Sequence, residues 1–162
     1  MSEKEFQNIS SFFDSLGIDY LVVEHEEVRT SEEAARVRGS LIEDGVKAMV
    51  IEFSRGEKKF FSIANLRADK RVDLDKLKQI LKADKIKLLS LERVGEITGC
   101  PPGGVPPLGH TPKLPVLVDS TVFTREFNEF NAGLKTKSIR LKSSDLRKAF
   151  QAYGAVFFEF SK

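Results

Sequence analysis

Apolar residues recur at helical spacing near the start of the chain. The recurring positions are Phe6, Ile9, Phe12, Phe13 and Leu16. They fit a period of 3.6 residues, and the following Gly17 is a typical helix stop. The pattern predicts an amphipathic first helix that turns Phe12 and Phe13 towards the core.

Short apolar runs alternate with helical patterns along the rest of the chain. The runs predict strands over residues 18–24, 46–53, 59–64, 86–89, 114–119, 127–132, 138–141 and 155–160. Helices are predicted from Thr30 to about Gly39, and over 72–83, 91–98 and 144–152. Thr30 and Ser31 offer a hydroxyl N-cap to the first of these helices, with acidic residues following in its first turn, and Asp73 is the expected N-cap of the next.

The strands and helices alternate unevenly, and hairpins are mixed with crossovers. This order favours a mixed α/β (α+β) fold, with one mixed sheet surrounded by helices, over a doubly wound parallel sheet. No repeat, linker or low-complexity segment interrupts the 162 residues, so we expect a single domain over residues 1–162.

Composition narrows the classes of function. The chain is 41% hydrophobic and 31% charged, and its net charge of +2 creates no general basic field for nucleic acid. The first eight residues do not resemble a signal peptide, and no apolar run is long enough to span a membrane. One cysteine rules out an internal disulfide and fits a cytoplasmic location. Two histidines and one cysteine are too few for a His/Cys metal cluster. An all-carboxylate site is the alternative, but no loop in the sequence encodes one, so we expect no metal and no cofactor.

A stiff loop over residues 99–110 dominates the second half of the chain. Its twelve residues contain four of the six prolines and four of the eleven glycines. Proline fixes φ and lacks an N–H, while glycine lets a ligand approach the backbone closely. A surface crossover is the usual explanation for such a cluster. Val105 and Leu108 favour burial, however, and the loop ends at His110, so we interpret it as one wall of a binding site.

The order of features resembles a known family. The motifs are Thr-Ser-Glu-Glu-Ala-Ala over 30–35, the strand start 45–50 with Lys47, Arg71–Leu74, the loop 99–109, Val116–Asp119 and Ala132-Gly133 ahead of Ser144–Leu146. Together they resemble the YbaK/prolyl-tRNA synthetase-associated domain family, the aminoacyl-tRNA editing deacylases. The resemblance covers nearly the whole chain and implies a mixed, partly barrel-like β-sheet surrounded by helices.

The resemblance implies hydrolysis of the ester that joins a wrong amino acid to the 3′ end of a tRNA. The expected substrate is tRNA for proline that carries alanine, cysteine, serine or threonine. Editing is needed because one missing methylene changes binding in a synthetase pocket by only about 1–3 kcal/mol. Mischarged tRNA is the expected partner, and prolyl-tRNA synthetase is a second one that the resemblance suggests. No synthetase core is attached, so we expect a free-standing enzyme; the oligomeric state stays open.

The resemblance also assigns the catalytic groups. Lys47 matches the family lysine, and its ammonium is expected to contact the substrate's carbonyl or the phosphate end of the tRNA. A solvated lysine at a strand start is the alternative. The backbone N–H groups of Gly103, Gly104 and Val105 are candidate oxyanion donors, since one such donor is worth about 3–4 kcal/mol.

Six further residues are candidates for substrate binding. They are Pro106, Pro107, His110, Thr30, His25 and Asp119. The two prolines would keep the loop open. His110 either binds the substrate or shuttles a proton, or it only caps a backbone group. Thr30 either caps a helix or also faces the pocket. His25 either borders the pocket or has a structural role, and we expect the structural role. Asp119 is a candidate for binding the substrate ammonium.

Cys100 has no acid–base partner that the sequence can assign, so we interpret it as a packing residue.

Some family members carry a histidine after the late Ala-Gly, where this chain has Leu-Lys-Thr-Lys over 134–137. The amino-acid specificity therefore stays open.

Two basic patches are candidates for tRNA contact, and we expect at least one of them to bind: Lys82, Lys85, Lys87 with Arg93, and Lys135, Lys137, Arg140, Lys142 with Arg147 and Lys148. Within the second patch, Lys135, Lys137 and Arg140 are the residues that we assign to this contact. A solvated surface is the alternative for this patch. Two other functions remain: a non-catalytic module that binds tRNA or a synthetase, and a small-molecule binding protein. Turnover would exclude the non-catalytic module, and salt-dependent affinity for tRNA would exclude the small-molecule binding protein.

Overall fold

The computed structural model describes residues 3–28, 30–101, 103–110 and 112–162. Within these ranges the α-helices are α1 (Glu3–Ser15), α2 (Ser31–Arg38), α3 (Leu74–Leu81), α4 (Leu91–Thr98) and α5 (Ser143–Tyr153). The strands are β1 (Leu21–Glu24), β2 (Val46–Arg55), β3 (Lys58–Arg67), β4 (Lys85–Leu88), β5 (Val116–Asp119), β6 (Phe127–Asn131), β7 (Lys137–Lys142) and β8 (Val156–Phe158). Two short 3-10 helices cover Ile42–Asp44 and Ser120–Thr124.

The described strands form two sheets. The larger has the order β4-β2-β3-β5-β8, in which the hairpin β2-β3 is antiparallel and β3, β5 and β8 run parallel. The smaller is an antiparallel sheet of order β1-β7-β6. A single bridge between Gly45 and Glu129 links the start of β2 to β6. The predicted mixed α/β class is confirmed; the strands are divided between two sheets, which do not close into a barrel.

Both faces of the larger sheet are buried. Val50 and Ile63 pack on one side with α1, the smaller sheet and α5, while Ile51 and Leu66 pack on the other side with α3. This division follows from the two-residue period of a strand, which sends successive side chains to opposite faces. The central hairpin is therefore held on both sides, and the residues at its beginning have a defined position.

The predicted helix signals are confirmed in detail. Phe13 of α1 is fully buried, and Phe12 packs edge-on against Tyr153 with 5.6 Å between ring centroids. Thr30 accepts a hydrogen bond from the Glu33 N–H at 3.1 Å and caps α2. Asp73 caps α3 in the same way. No described helix has both the length and the apolar character needed to cross a membrane.

The last strand is shorter than predicted. It ends at Phe158, and the fully buried Phe160 leaves the sheet to pack against the second core cluster. Asp119 causes this change of direction, because its Oδ1 accepts the N–H groups of Phe160 at 2.6 Å and Ser161 at 3.0 Å. These two N–H groups are consequently not available to continue a β-ladder.

Candidate active site

A cavity of about 180 Å³ lies where α2, the beginning of β2, the Pro/Gly loop and the end of β6 meet. Its polar lining comes from Thr30, Ser31, Arg38, Lys47 and Asn131. Its apolar lining comes from Val28, Ala34, Val46, Ala48, Met49 and Ala68. Gly103 and Val105 line it from the loop. Four residues singled out in the sequence, Lys47, Thr30, Gly103 and Val105, thus meet at one cavity.

Lys47 is a half-buried lysine on β2, in register with Leu66 of β3. Burial lowers the pKa of its ammonium, and Arg71 lowers it further, while Asp69 and Glu32 act in the opposite direction. No described residue forms a hydrogen bond or an ion pair with this ammonium within contact distance. Lys47 therefore presents partly desolvated donors to the cavity, where lower local polarity strengthens its attraction to an oxygen atom that carries negative charge.

Side chains hold the carbonyl groups of the loop in place. Prolines remove backbone donors, so these carbonyls need partners from elsewhere. Four of them accept hydrogen bonds: Gly103 from Asn131 Nδ2, Pro106 from His110 Nε2 at 2.7 Å, Pro107 from Asn65 Nδ2 at 3.0 Å and Gly109 from Asn8 Nδ2 at 3.1 Å. The loop has no regular secondary structure, yet it is fixed from α1, β3 and β6.

The loop's N–H groups fall into two kinds. The Gly104 N–H donates to the Pro101 carbonyl at 2.8 Å, so it closes a turn inside the loop. The N–H groups of Gly103 and Val105 have no acceptor among the described residues. Gly103 adopts a φ of +84°, which favours glycine. A Cβ at Gly104 would lie 2.9 Å from Pro101 Cγ, which explains the second glycine. Of the three predicted oxyanion donors, two thus have no partner among the residues that the structure describes.

His110 and the two prolines before it lie away from the cavity. Pro106 and Pro107 are buried, and His110 is only 4% exposed. A carbonyl oxygen only accepts hydrogen bonds, so His110 Nε2 must carry the proton that it shares with Pro106. Burial lowers the pKa of His110 from its ordinary value of 6.5 to about 4, although the Pro106 hydrogen bond opposes the shift. The geometry supports the backbone-capping alternative for His110.

We expect His110 to make the stability of the protein depend on pH. In the unfolded chain His110 binds a proton below about pH 6.5, whereas in the folded chain it does so only below about pH 4. The free energy of unfolding should therefore fall as pH decreases, by about 2 kcal/mol between pH 7.5 and pH 5. His110→Gln keeps a donor but does not titrate, so urea unfolding at the two pH values should show this decrease in the wild type and a smaller one in the variant. His25→Gln serves as the control, and equal pH dependence in wild type and His110→Gln would contradict the prediction.

Three other candidates have structural partners. His25 contacts the Glu26 carbonyl through Nδ1 and Ser138 Oγ through Nε2, both at 2.7 Å. Asp119 is buried at the end of β5, next to the C-terminal residues Phe160 and Ser161. Burial raises the pKa of its carboxyl group, but hydrogen bonds from Thr121, Phe160 and Ser161 outweigh this effect and leave the pKa lowered. Neither residue lines the cavity. Cys100 is buried, with its Sγ 3.6 Å from the Thr98 carbonyl.

A buried polar network beneath the cavity was missed by the sequence analysis. Arg38 donates from Nε to Ser138 Oγ at 2.8 Å and from Nη2 to Asn131 Oδ1 at 2.9 Å. Glu129 lies 3.9 Å from Arg38 Nε and accepts hydrogen bonds from Ser40 and Arg140. Burial lowers the pKa of Arg38 to about 10, and Glu129 raises it in part. The one available signal was the composition of β6, since three of its five residues, Asn128, Glu129 and Asn131, are polar.

The three basic residues predicted to contact tRNA all have acidic partners. Lys135 pairs with Glu27 at 3.2 Å, Lys137 pairs with Glu3 at 3.6 Å, and Arg140 pairs with Glu129. Glu27 and Glu3 are 60% and 50% exposed, whereas Glu129 is only 3% exposed. The first two pairs therefore have an exposed acid, with lysines that are 21% and 25% exposed, whereas the third joins the 31% exposed Arg140 to the acid of the buried network.

The described residues that line the cavity include no histidine and no acid. Elsewhere in the described ranges, no cluster of three or more His, Cys, Asp or Glu residues is arranged to hold a metal ion. The chemistry that the described lining offers thus consists of hydrogen-bond donors, the Lys47 ammonium, the Arg38 guanidinium and a small volume that admits water.

Comparison with known proteins adds independent information. Residues 25–149 match the aminoacyl-tRNA editing domain family. The chain is 34% identical over 147 residues to the multifunctional Ser/Thr-tRNA deacylase ProXp-y of Escherichia coli (strain K12), a match that covers 90% of this chain and 87% of that protein. It is 24% identical over 155 residues to the prolyl-tRNA editing protein ProX of Acetoanaerobium sticklandii, with 93% of each chain covered.

Solved structures agree on the fold. The hypothetical protein APE2540 superposes with a TM-score of 0.84 at 22% identity, over 96% of this chain and 99% of that chain. A candidate trans-editing enzyme for prolyl-tRNA synthetase superposes with a TM-score of 0.79 at 24% identity, over 98% and 97% of the two chains.

Proposed function

Because the chain belongs to the aminoacyl-tRNA editing domain family, we propose that it is a deacylase that acts in trans and hydrolyses the ester of a mischarged tRNA. The observation that carries the proposal is a cavity lined by the half-buried Lys47 and by Gly103 and Val105, whose N–H groups have no acceptor among the described residues. These are the groups that an ester carbonyl needs when it turns into an oxyanion. The two relatives covered over most of their length are named for tRNA deacylation and editing.

The reaction needs only a water molecule and the substrate. Water adds to the ester carbonyl carbon, and the oxyanion is stabilised by Lys47 and the two loop N–H groups. The bond from carbon to the ribose oxygen then breaks, the ribose oxygen takes up a proton, and the free amino acid leaves. Since no described acid or histidine lines the cavity, the proton of the attacking water passes to solvent or to the ribose hydroxyl beside the ester.

Serine and threonine are the amino acids that we propose as preferred. The cavity of about 180 Å³ suits a small side chain, and the hydroxyl-bearing residues Thr30 and Ser31 are among those that line it. A side-chain hydroxyl on the substrate finds hydrogen-bond partners there, whereas the apolar lining alone would not distinguish it from a methyl group. The related protein from Escherichia coli is named as a Ser/Thr-tRNA deacylase.

A deacylation panel tests this function. Proline tRNA is charged separately with alanine, cysteine, serine, threonine and proline, and release of the amino acid is followed with and without the protein. We expect rapid release of serine and threonine and no release of proline. Failure to release any amino acid from a tRNA that the protein binds would favour the non-catalytic binding module instead.

We propose that Lys135 and Lys137, but not Arg140, bind tRNA phosphates. Glu27 and Glu3 are exposed and can turn to water, and an ion pair at the surface is worth only about 0–1 kcal/mol, so a phosphate can replace either acid as the partner of its partly exposed lysine. Arg140 is different because it compensates the buried Glu129.

The double variant Lys135→Gln/Lys137→Gln should bind tRNA more weakly. Each lost phosphate contact lowers the slope of log affinity against log salt by about 0.7–0.9, so the double variant should lose roughly 1.5 from the slope. Fluorescence anisotropy over a KCl series measures this slope. Arg140→Gln is the matched control, for which we expect an unchanged slope. An unchanged slope in the double variant would exclude this patch as the tRNA contact.

A further inference from the structure

We propose that Asn131 is a positioning residue, which aims the loop's two unpaired N–H groups into the cavity, and that Arg38 orients its amide. The inference rests on the proposed deacylase function and adds to it two residues that do not carry out the chemistry themselves.

The orientation of the Asn131 amide is determined by its partners. Its Oδ1 accepts hydrogen bonds from Arg38 Nη2 at 2.9 Å and from Ser138 Oγ at 3.2 Å. Arg38 has no acceptor atoms, so the amide oxygen must face it. The amide nitrogen is thereby turned the other way, where it donates to the Gly103 carbonyl.

The peptide between Gly103 and Gly104 is held at both ends. Its carbonyl oxygen accepts from Asn131, and its N–H donates to the Pro101 carbonyl at 2.8 Å. The Gly103 N–H belongs to the preceding peptide, and the Val105 N–H belongs to the following one. The held peptide is planar, and each neighbouring peptide is joined to it through a single α-carbon, so the position of the held peptide is the reference from which φ and ψ orient both neighbouring N–H groups. We infer that Asn131, by fixing this middle peptide, limits the directions that both candidate oxyanion donors can take.

Arg38 is itself firmly held. Its side chain is 6% exposed, and its Nε contacts Ser138 Oγ at 2.8 Å and Glu129 at 3.9 Å. Burying such charges is expensive, and an apolar replacement of similar volume is often as stable or more so. Stability alone is thus a weak reason for an ion pair directly beneath the cavity, whereas precise orientation of Asn131 is a sufficient one.

Another asparagine provides a matched comparison. Asn8 of α1 also donates its amide Nδ2 to a loop carbonyl, that of Gly109 at 3.1 Å, but Gly109 does not line the cavity. If the amide bonds only tether the loop, both asparagines should matter equally. If Asn131 positions the oxyanion donors, only its loss should affect the chemical step.

The test compares Asn131→Asp with Asn8→Asp in steady-state deacylation of seryl-tRNA for proline. Aspartate keeps the size and an acceptor for Arg38, but its second oxygen repels the Gly103 carbonyl. We expect kcat to fall about 10- to 100-fold in Asn131→Asp, with KM within about twofold, since a misplacement of about 1 Å can cost 100-fold in rate. Asn8→Asp should keep kcat within about twofold. Arg38→Lys should lower kcat as well, and the double variant Arg38→Lys/Asn131→Asp should fall no further than Asn131→Asp.

A second readout does not depend on turnover. In ¹H–¹⁵N spectra, the Gly103 and Val105 amide signals should shift in Asn131→Asp and stay in place in Asn8→Asp. Wild-type kcat in Asn131→Asp, an equal loss in Asn8→Asp, or unmoved amide signals would each overturn the inference. An inactive wild type whose amide signals still respond to Asn131→Asp would instead count against the deacylase function and leave the positioning role supported.

Discussion

Lys47→Ala is expected to slow deacylation by about 100-fold to 1000-fold while the protein stays folded. Removal of one preorganised donor to an oxyanion typically costs about 2.7–4 kcal/mol of transition-state stabilisation, which corresponds to this range. Lys47 is the single ammonium group among the described residues of the cavity, and it has no described partner that would hold it for a structural purpose. Its loss should therefore appear in kcat rather than in KM.

Stability should respond to this change in the opposite direction. Burial lowers the pKa of Lys47, which means that the folded state disfavours the charged form. Removing the ammonium is thus expected to leave the melting temperature unchanged or to raise it. Stability of this kind is often exchanged for activity at catalytic sites.

The matched control is Lys59→Ala, which removes a lysine from the same hairpin. Lys59 is 59% exposed and pairs with Glu52 outside the cavity. Its deacylation rate should equal that of the wild type. The test measures deacylation of proline tRNA charged with serine, and thermal unfolding, for the wild type, Lys47→Ala and Lys59→Ala. Unchanged turnover in Lys47→Ala would exclude this residue from the mechanism.

Among the substitutions considered, Glu129→Gln is expected to cause the largest decrease in the free energy of unfolding. Glu129 is the buried acid beside Arg38, and both side chains are almost completely shielded from water. Neutralising one partner of a buried pair leaves the other charge uncompensated, at a cost of about 3–5 kcal/mol. For a chain of this size we expect the melting temperature to fall by roughly 10 °C.

Glu52→Gln is the comparison for this effect. Glu52 of β2 is also buried, but its partners Lys59, Lys87 and Arg93 are 59%, 62% and 36% exposed. These cations can turn to water when the carboxylate is lost, so the cost should be clearly smaller than for Glu129→Gln. Urea unfolding of both variants measures the difference, and equal losses would contradict the importance that we attach to the buried Arg38.

The two largest effects separate activity from stability. Lys47 contributes to the reaction and is expected to cost stability, whereas Glu129 contributes to stability and reaches the reaction only through Arg38 and Asn131. A variant that loses turnover should therefore be assigned to one of these routes by measuring its unfolding as well.

Local sequence determined several helices of this protein, the position of its loop and the place of Lys47. The helical spacing of Phe6 to Leu16 predicted α1, and the caps Thr30 and Asp73 predicted the starts of α2 and α3. The proline and glycine content marked the loop, and the motif order placed Lys47 at the beginning of β2. These features depend on residues that are near one another in the chain, because periodicity and capping act over about one helical turn.

The partners of the polar side chains were decided by tertiary structure. Arg38 and Asn131 are 93 residues apart, Asn65 and the Pro107 carbonyl are 42 apart, and Lys135 and Glu27 are 108 apart. No local pattern encodes such pairs, since they form only when the two sheets and the loop are packed together. For this reason the sequence predicted a Pro/Gly loop and a lysine, while the packed chain decided which loop N–H groups stay unpaired, that His110 and Asp119 lie away from the cavity, and that Asn131 holds Gly103.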